Sequence, residues 1–315
     1  MGDIIDSTDF FLFNRERGIT VHDSTDPLRL CSGIQREIIT MTMKKALTIA
    51  GSDTSGGAGQ QADLKTFQEL GVFGMTALTV IVAQDPHNEW FHEVFPIDVA
   101  ILEKQIETVL SGIGVDAVKT GMLGTTELVD LATRKIKQYD LKNVVVDPVM
   151  ICKGADEALH PEIAVSLREV LLPHATVATP NLFEAGILSQ MGALKSVDDM
   201  KEAAKRIHDF GTSYVVVKGG SKLQSGNAVD VFYDGKTIEV LESERFETSF
   251  THGAGCTFSA AICAELAKGS SVNNAVAVAK EFITEAIRHS FALNKYVGPT
   301  NHGAYRMKKH GEAIC

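Results

Sequence analysis

A chain of 315 residues with 44% apolar composition has room for one large α/β domain or two small ones. Its net charge of −10 comes without any block of Lys and Arg, which argues against nucleic acid or an anionic membrane as the main partner. No apolar run reaches the roughly 18–20 residues of a membrane span, and Asp3, Asp6 and Asp9 stand where a secretory signal carries positive charge, so a cytoplasmic protein is expected.

Residues 1–42 are charged, lack a sustained period and contain the turn-like Ser24-Thr25-Asp26-Pro27. They read as an extension, disordered or foreign to the native protein, with no function assigned; the folded domain is expected over 43–315. From there strands and helices alternate. Strands are predicted over 45–50, 75–83, 115–120, 143–150, 174–179 and 213–218. Helical patterns fall near 58–70, 98–111, 125–138, 161–171, 182–190 and 197–210. Runs such as Val144-Val145-Val146 and Val215-Val216-Val217 suit strands buried on both faces. The alternation predicts a three-layer, doubly wound α/β fold with a mainly parallel sheet. Asp234-Gly235-Lys236, between 229–233 and 237–241, predicts a small β-hairpin. Two helices follow, near 255–268 and 272–292; Lys268-Gly269 is a stop signal for the first.

In such sheets, ligands bind beyond the carboxyl ends of the strands. In Thr251-His252-Gly253-Ala254-Gly255-Cys256-Thr257, two glycines open a helix, which brings backbone N–H groups and the helix dipole to an anion. A phosphoryl group gathering charge in transit is the anion best served, although a plain tight turn has the same pattern. Cys256 lies in the first helical turn, where a lowered thiol pKa is expected, and it suits a general base. After the first strand, Gly51-Ser52-Asp53-Thr54-Ser55-Gly56-Gly57-Ala58-Gly59 suits either a phosphate loop or a loop hugging a flat ring. It lacks both the GK[ST] ending of a P-loop and a GxGxxG, which disfavours a dehydrogenase. Asp63, one turn into the next helix, is expected to bind a ring nitrogen or hydroxyl if it turns into the cleft. Asp147, ending an apolar run, suits a Mg²⁺ or water-shell ligand. Beyond it, the segment with Cys152 is a candidate lid. Asn181 and Glu184 share a helix face, as a ligand pair or as an ordinary capping box. Lys218-Gly219-Gly220 would line a nucleotide channel. The five cysteines, at 31, 152, 256, 263 and 315, have no zinc-ligand spacing and read as free thiols.

Gly253-Ala254-Gly255-Cys256 resembles the anion hole of the ribokinase superfamily. The set Ala50-Gly51-Ser52-Asp53, Ser55-Gly56-Gly57-Ala58-Gly59, Ala62-Asp63-Leu64-Lys65-Thr66, Lys119-Thr120-Gly121-Met122-Leu123, Asp147-Pro148-Val149-Met150, Thr179-Pro180-Asn181-Leu182 and Thr251-His252-Gly253 resembles its hydroxymethylpyrimidine kinase branch, from about Lys44 to Arg306. Val82-Ala83-Gln84-Asp85-Pro86, Val149-Met150-Ile151-Cys152-Lys153-Gly154 and Tyr296-Val297-Gly298-Pro299-Thr300 are similar to its Gram-positive members that phosphorylate pyridoxal, pyridoxine and pyridoxamine at the 5′-hydroxyl. The alternatives are a hydroxymethylpyrimidine or phosphomethylpyrimidine kinase, a bifunctional enzyme, or a ligand sensor without catalysis.

The resemblance implies ATP and Mg²⁺, with a monovalent cation such as K⁺ allowed, and a homodimer. It implies Cys256 as the base with Gly253, Ala254 and Gly255 completing the anion hole. Gly51, Asp63, Gln84, Met122 and Val149 would line the ring pocket, Asp147 and Glu184 the metal, and Asn181, Lys218 and Gly220 the nucleotide. Cys256 is further expected to add to the aldehyde of pyridoxal as a hemithioacetal, with Cys152 on the lid relaying a proton.

Overall fold

Alternating residues of the predicted strands are apolar on both sides, so each strand needs a helical layer above and below it. The computed structural model describes residues 42–150, 161–223 and 226–311. Nine strands form one sheet: β1 (Lys45–Asp53), β2 (Phe73–Asp85), β3 (Phe91–Pro96), β4 (Ala117–Thr120), β5 (Val144–Val146), β6 (Val177–Ala178), β7 (Tyr214–Gly220), β8 (Ala228–Tyr233) and β9 (Ile238–Ser243). Their order is β3-β2-β1-β4-β5-β6-β7-β8-β9. Pairing is parallel from β2 to β7, and antiparallel for β3 and for the hairpin β8–β9.

The helices are α1 (Gly59–Glu69), α2 (Val99–Leu110), α3 (Thr126–Gln138), α4 (Pro161–Ser166), α5 (Leu182–Leu188), α6 (Val197–His208), α7 (Ala254–Ala267), α8 (Val272–Arg288) and α9 (Ala304–His310). Leu47, Val118, Val144 and Val146 pack with α2 to α6 on one face. Ala46, Ala117, Val145 and Val216 pack with α1, α7 and α8 on the other. Neighbouring residues thus serve opposite layers, as a strand's two-residue period requires. The three-layer expectation holds.

Local chemistry places the ends. β5 stops at Val146 rather than running to residue 150, since Pro148 has no N–H to continue the ladder. Asp98 caps α2, accepting from Ala100 and Ile101 N–H. Lys268 caps α7 and Gly269 turns the chain at φ +89°. The hairpin turns where predicted, with Gly235 at φ +86° and the Asp234 carboxylate accepting from Lys236 and Thr237 N–H. Two elements have no counterpart in the sequence reading: β3, a short reversed edge strand, and α9. The predicted helix near 161–171 is α4 followed by a wider turn over Leu167–Leu171. The described elements fall within Met43–Cys315, and the proposed extension over 1–42 lies almost wholly outside the described residues. No described helix is long and apolar enough to cross a membrane.

Candidate active site

The site lies at the carboxyl ends of β1, β4, β5 and β7, where two glycine-rich loops meet. One joins β1 to α1, and the other leads into α7. Their glycines are demanded by each other. A Cβ on Gly253, which has φ +77°, would stand 1.8 Å from the Gly57 carbonyl oxygen, and one on Gly59 would stand 2.4 Å from that of Gly51. The first loop thus presses backbone against backbone rather than imitating a P-loop.

Asp53 ties these loops together. Its Oδ2 lies 2.7 Å from His252 Nε2 and accepts from Ala58 N–H, while its Oδ1 accepts from Ser55 N–H and from Gln84 Nε2 at 2.6 Å. Burial works to raise this carboxyl, but His252, Ser55 and the Ala58 amide outweigh it and hold it far below the usual range. Asp53 and His252 carry no role in the expectations above, although both stand inside the glycine-rich motifs. The signal was a carboxylate within a glycine loop and a histidine directly before another.

Gly253 caps α7 in the left-handed region. The Ala254 N–H donates to the Thr251 carbonyl at 3.1 Å, so it is spent on the turn rather than on an anion as expected. Among the described residues, no backbone carbonyl accepts from the Gly255 or Cys256 N–H, so these two amides, at the positive end of α7, are open to an anion. Gly255 admits Lys218, whose Nζ would lie 3.1 Å from a Cβ there.

A cavity of about 430 Å³ opens here, lined by Gly51, Asp53, Lys119, Met122, Asp147, Val149, Glu184, Lys218, His252 and Cys256, among others. A second, of about 360 Å³, is lined by Gly220, Ala228, Asp230, Phe246, Lys280 and Ile283, and shares Asn181, Lys218, Ala254 and Gly255 with the first. The two adjoin at the start of α7. Gly51, Met122 and Val149 line the first cavity, and Gly220 the second.

Three expectations need correction. Asp63 does not enter the cleft: it is fully buried, with Lys119 Nζ at 2.7 and 2.8 Å and the Thr48 hydroxyl at 2.6 Å on its oxygens, because its helical face turns to the sheet. Gln84 is bound to Asp53 and is not part of the cavity wall. The Cys256 thiol is not lowered. Burial pushes it up to about 11; Lys119 pulls the other way, while Asp147 and Asp63 add to the rise. Cys152 lies outside the described residues.

Asp147 accepts from Lys218 Nζ at 2.8 Å and from Ser259 Oγ at 3.3 Å. Burial would raise its carboxyl, but Lys218 and Lys119 hold it below the usual range. Glu184 is pushed up to about 7 by burial, partly offset by Lys218 and increased by Asp147. Asn181 and Glu184 form a capping box, and both also line the first cavity. A carboxylate discharged by its surroundings is one that a cation would ionise. Mg²⁺ commonly takes one or two carboxylates together with phosphate oxygens and water, and Asp147 and Glu184 fit that pattern. Among the described residues no cluster of three or more His, Cys, Asp or Glu forms a protein-only cage.

The phosphomethylpyrimidine kinase family model matches residues 53–301. The pyridoxine kinase of Bacillus subtilis is 65% identical over 269 residues, which are 85% of this chain and 99% of that protein. The hydroxymethylpyrimidine/phosphomethylpyrimidine kinase of the same organism is 43% identical over 266 residues, 84% and 97% of the two chains. The solved structure of an ADP complex of Bacillus subtilis pyridoxal kinase superposes with a TM-score of 0.82, covering 84% of this chain and 99% of that one. The chain belongs to the phosphomethylpyrimidine kinase family, within the ribokinase-like superfamily.

Proposed function

We propose that this chain is an ATP-dependent phosphotransferase that acts on the 5′-hydroxymethyl group of pyridoxal, pyridoxine and pyridoxamine. The observation that carries the reading is the pair of open amides, Gly255 and Cys256, at the junction of two adjoining cavities. The first cavity, walled by Gly51, Met122 and Val149, suits a flat substituted ring. The second suits a nucleoside, whose terminal phosphate would then lie beside Lys218 and the start of α7. The 65% identity to a pyridoxine kinase supports the choice of ring, and the ADP complex of a relative supports the choice of nucleotide.

In this reading, Cys256 removes the proton from the substrate hydroxymethyl group. The oxygen attacks the γ-phosphorus, and the bond to the leaving ADP breaks with its electron pair. The amides of Gly255 and Cys256 and the Lys218 ammonium stabilise the charge that builds on the moving phosphoryl group. Positioning carries most of the acceleration, because the transition state is loose and asks little of its base. Asp147 and Glu184 would hold Mg²⁺ that arrives with ATP, and the ion supplies charge neutralisation between the phosphates.

A second reading, a hydroxymethylpyrimidine or phosphomethylpyrimidine kinase, is favoured by the 43% identical relative and by the matching ring chemistry. ATP consumption measured side by side with pyridoxal, pyridoxine and hydroxymethylpyrimidine separates the readings. Turnover of hydroxymethylpyrimidine alone would overturn the first. Repeating the assay with Mg²⁺ or K⁺ withheld tests each cation.

The chain is assigned to the cytoplasm, where ATP is available. For the homodimer, a second copy is placed against the sheet edge at β3, where Phe91 and Phe95 are 46% and 52% exposed. Sedimentation of Phe95→Glu as a monomer, with the native chain as a dimer, is the expected outcome.

A further inference from the structure

Lys119 and Thr48 are partners across the β1–β4 pairing. Both emerge on the sheet face covered by α1 and α7, since Ala117 and Ala46, two residues before each, pack in that layer. Asp63 descends on them from α1 and takes Lys119 Nζ on both oxygens and the Thr48 hydroxyl on one. Lys119 and Asp63 are both fully buried.

Stability does not explain an ion pair in such a place. Desolvation offsets most of the attraction, and apolar residues of similar volume do as well or better. The chemistry described above does not use the pair either. Its location suggests a use: Lys119 lies near the end of β4, in the wall of the cavity that Cys256 also lines. Gly121 keeps the ammonium's surroundings open, because a Cβ there would stand 3.4 Å from Lys119 Nζ and 2.9 Å from Ala50 Cβ.

We infer that Lys119, anchored by Asp63, is the positioning residue that enables Cys256 to act as a base, its charge holding the thiolate against the substrate hydroxyl. The inference rests on the reading of Cys256 as base. When the substrate O–H bond breaks, the proton joins Cys256 Sγ and the oxygen's electron pair forms the new P–O bond. Lys119 keeps its three protons throughout.

Charges reach Cys256 from every side. Lys119 faces it from β4, Lys218 from β7, Asp63 from α1 and Asp147 from beyond β5, with the Gly59 amide at the start of α1. Burial is the strongest influence and raises the thiol; Lys119 is the strongest in the opposite direction, outweighing Asp63. Burial also works to discharge Lys119, and Asp63, the largest of the opposing influences, together with Cys256 and Asp147 more than reverses this. Asp63 therefore keeps the ammonium charged and in place while weakening its field only in part.

The test is a difference titration of Cys256 in the full chain: thiolate absorbance against pH, with the curve of Cys256→Ala subtracted, alongside the pH profile of kcat. Lys119→Met alone would strand a buried carboxylate, so the paired variant Lys119→Met with Asp63→Asn carries the test. It retains the hydrogen bond to Thr48 and is expected to fold. Thr48→Val is the control, because it disturbs the same buried cluster without touching either charge. The expected result is an upward shift of about one pH unit in the paired variant, ~tenfold less thiolate at a fixed pH, with the kcat profile moving the same way and KM little changed. Thr48→Val should leave the titration in place. An unshifted paired variant, or an equal shift in Thr48→Val, would overturn the inference. A Cys256→Ala enzyme with wild-type kcat would instead overturn the base reading, and it is told apart because the titration shifts would still be seen.

Discussion

Cys256 shows how one position can carry two opposing effects. It lies at the third residue of α7, where a helix end favours an anion, yet burial lifts its thiol to about 11. At neutral pH the thiol is protonated, so a base mechanism predicts that kcat rises with pH up to the alkaline limit of the assay. Cys256→Ala should lower kcat by roughly 10²–10³-fold and flatten that rise, in keeping with the usual worth of a general base. Gly253 answers a steric demand rather than a chemical one. Gly253→Ala would drive a methyl group into the Gly57 carbonyl at a positive φ. A loss of well over ~1 kcal/mol in urea unfolding is expected, together with loss of turnover.

The loop from β1 to α1 is held chiefly by one carboxylate. Asp53 joins its own loop to Gln84 on β2 and to His252 before α7, so three separate parts of the chain meet on two oxygens. Asp53→Ala should destabilise the protein by about 2–3 kcal/mol, the usual effect of losing hydrogen bonds to a charged group. The folded state holds this carboxyl below its ordinary value of 3.8, so it binds its proton less readily than the unfolded chain does. Its contribution is therefore present in full above that value and is lost as pH falls through it and below. In urea titrations the stability gap between wild type and Asp53→Asn should be widest above about pH 5 and narrow steadily as pH falls below 3.8. Such a hub is hard to read in one dimension. Ser55 and Ala58 are local to Asp53, but Gln84 and His252 reach it only after folding. Asp63 misleads for the same reason: helical periodicity gives its spacing, not which face meets β4, and its partner Lys119 lies 56 residues away. By contrast Gly253, Gly255 and Asn181 announce themselves, because glycines before a helical pattern and Asn three residues before Glu are local signals.

At the scale of the molecule, the parallel sheet was legible from apolar runs that leave no polar face, as in Val144-Val145-Val146. Its edge was not: β3 is only Phe91–Pro96 and alternates weakly. The sheet's carboxyl ends gather both cavities on one side, so a nucleotide should brace strands far apart in sequence. ADP at about 100 times its Kd is expected to stabilise the fold by ~2.7 kcal/mol in a thermal melt. Lys218→Met should erase most of that shift, since Lys218 is shared by both cavities.

The pressed contact between Gly57 and Gly253 also sets a timetable. Its halves lie on opposite sides of nearly the whole sheet in sequence, so closing it is a contact of very high order. On the ribosome, β1 to β9 are all made before Gly253 emerges, and domains assemble as their segments appear. A growing chain can build its sheet while the phosphoryl-binding end of α7 does not yet exist. Catalytic competence thus comes after the whole sheet, and turnover reports that synthesis has passed the start of α7.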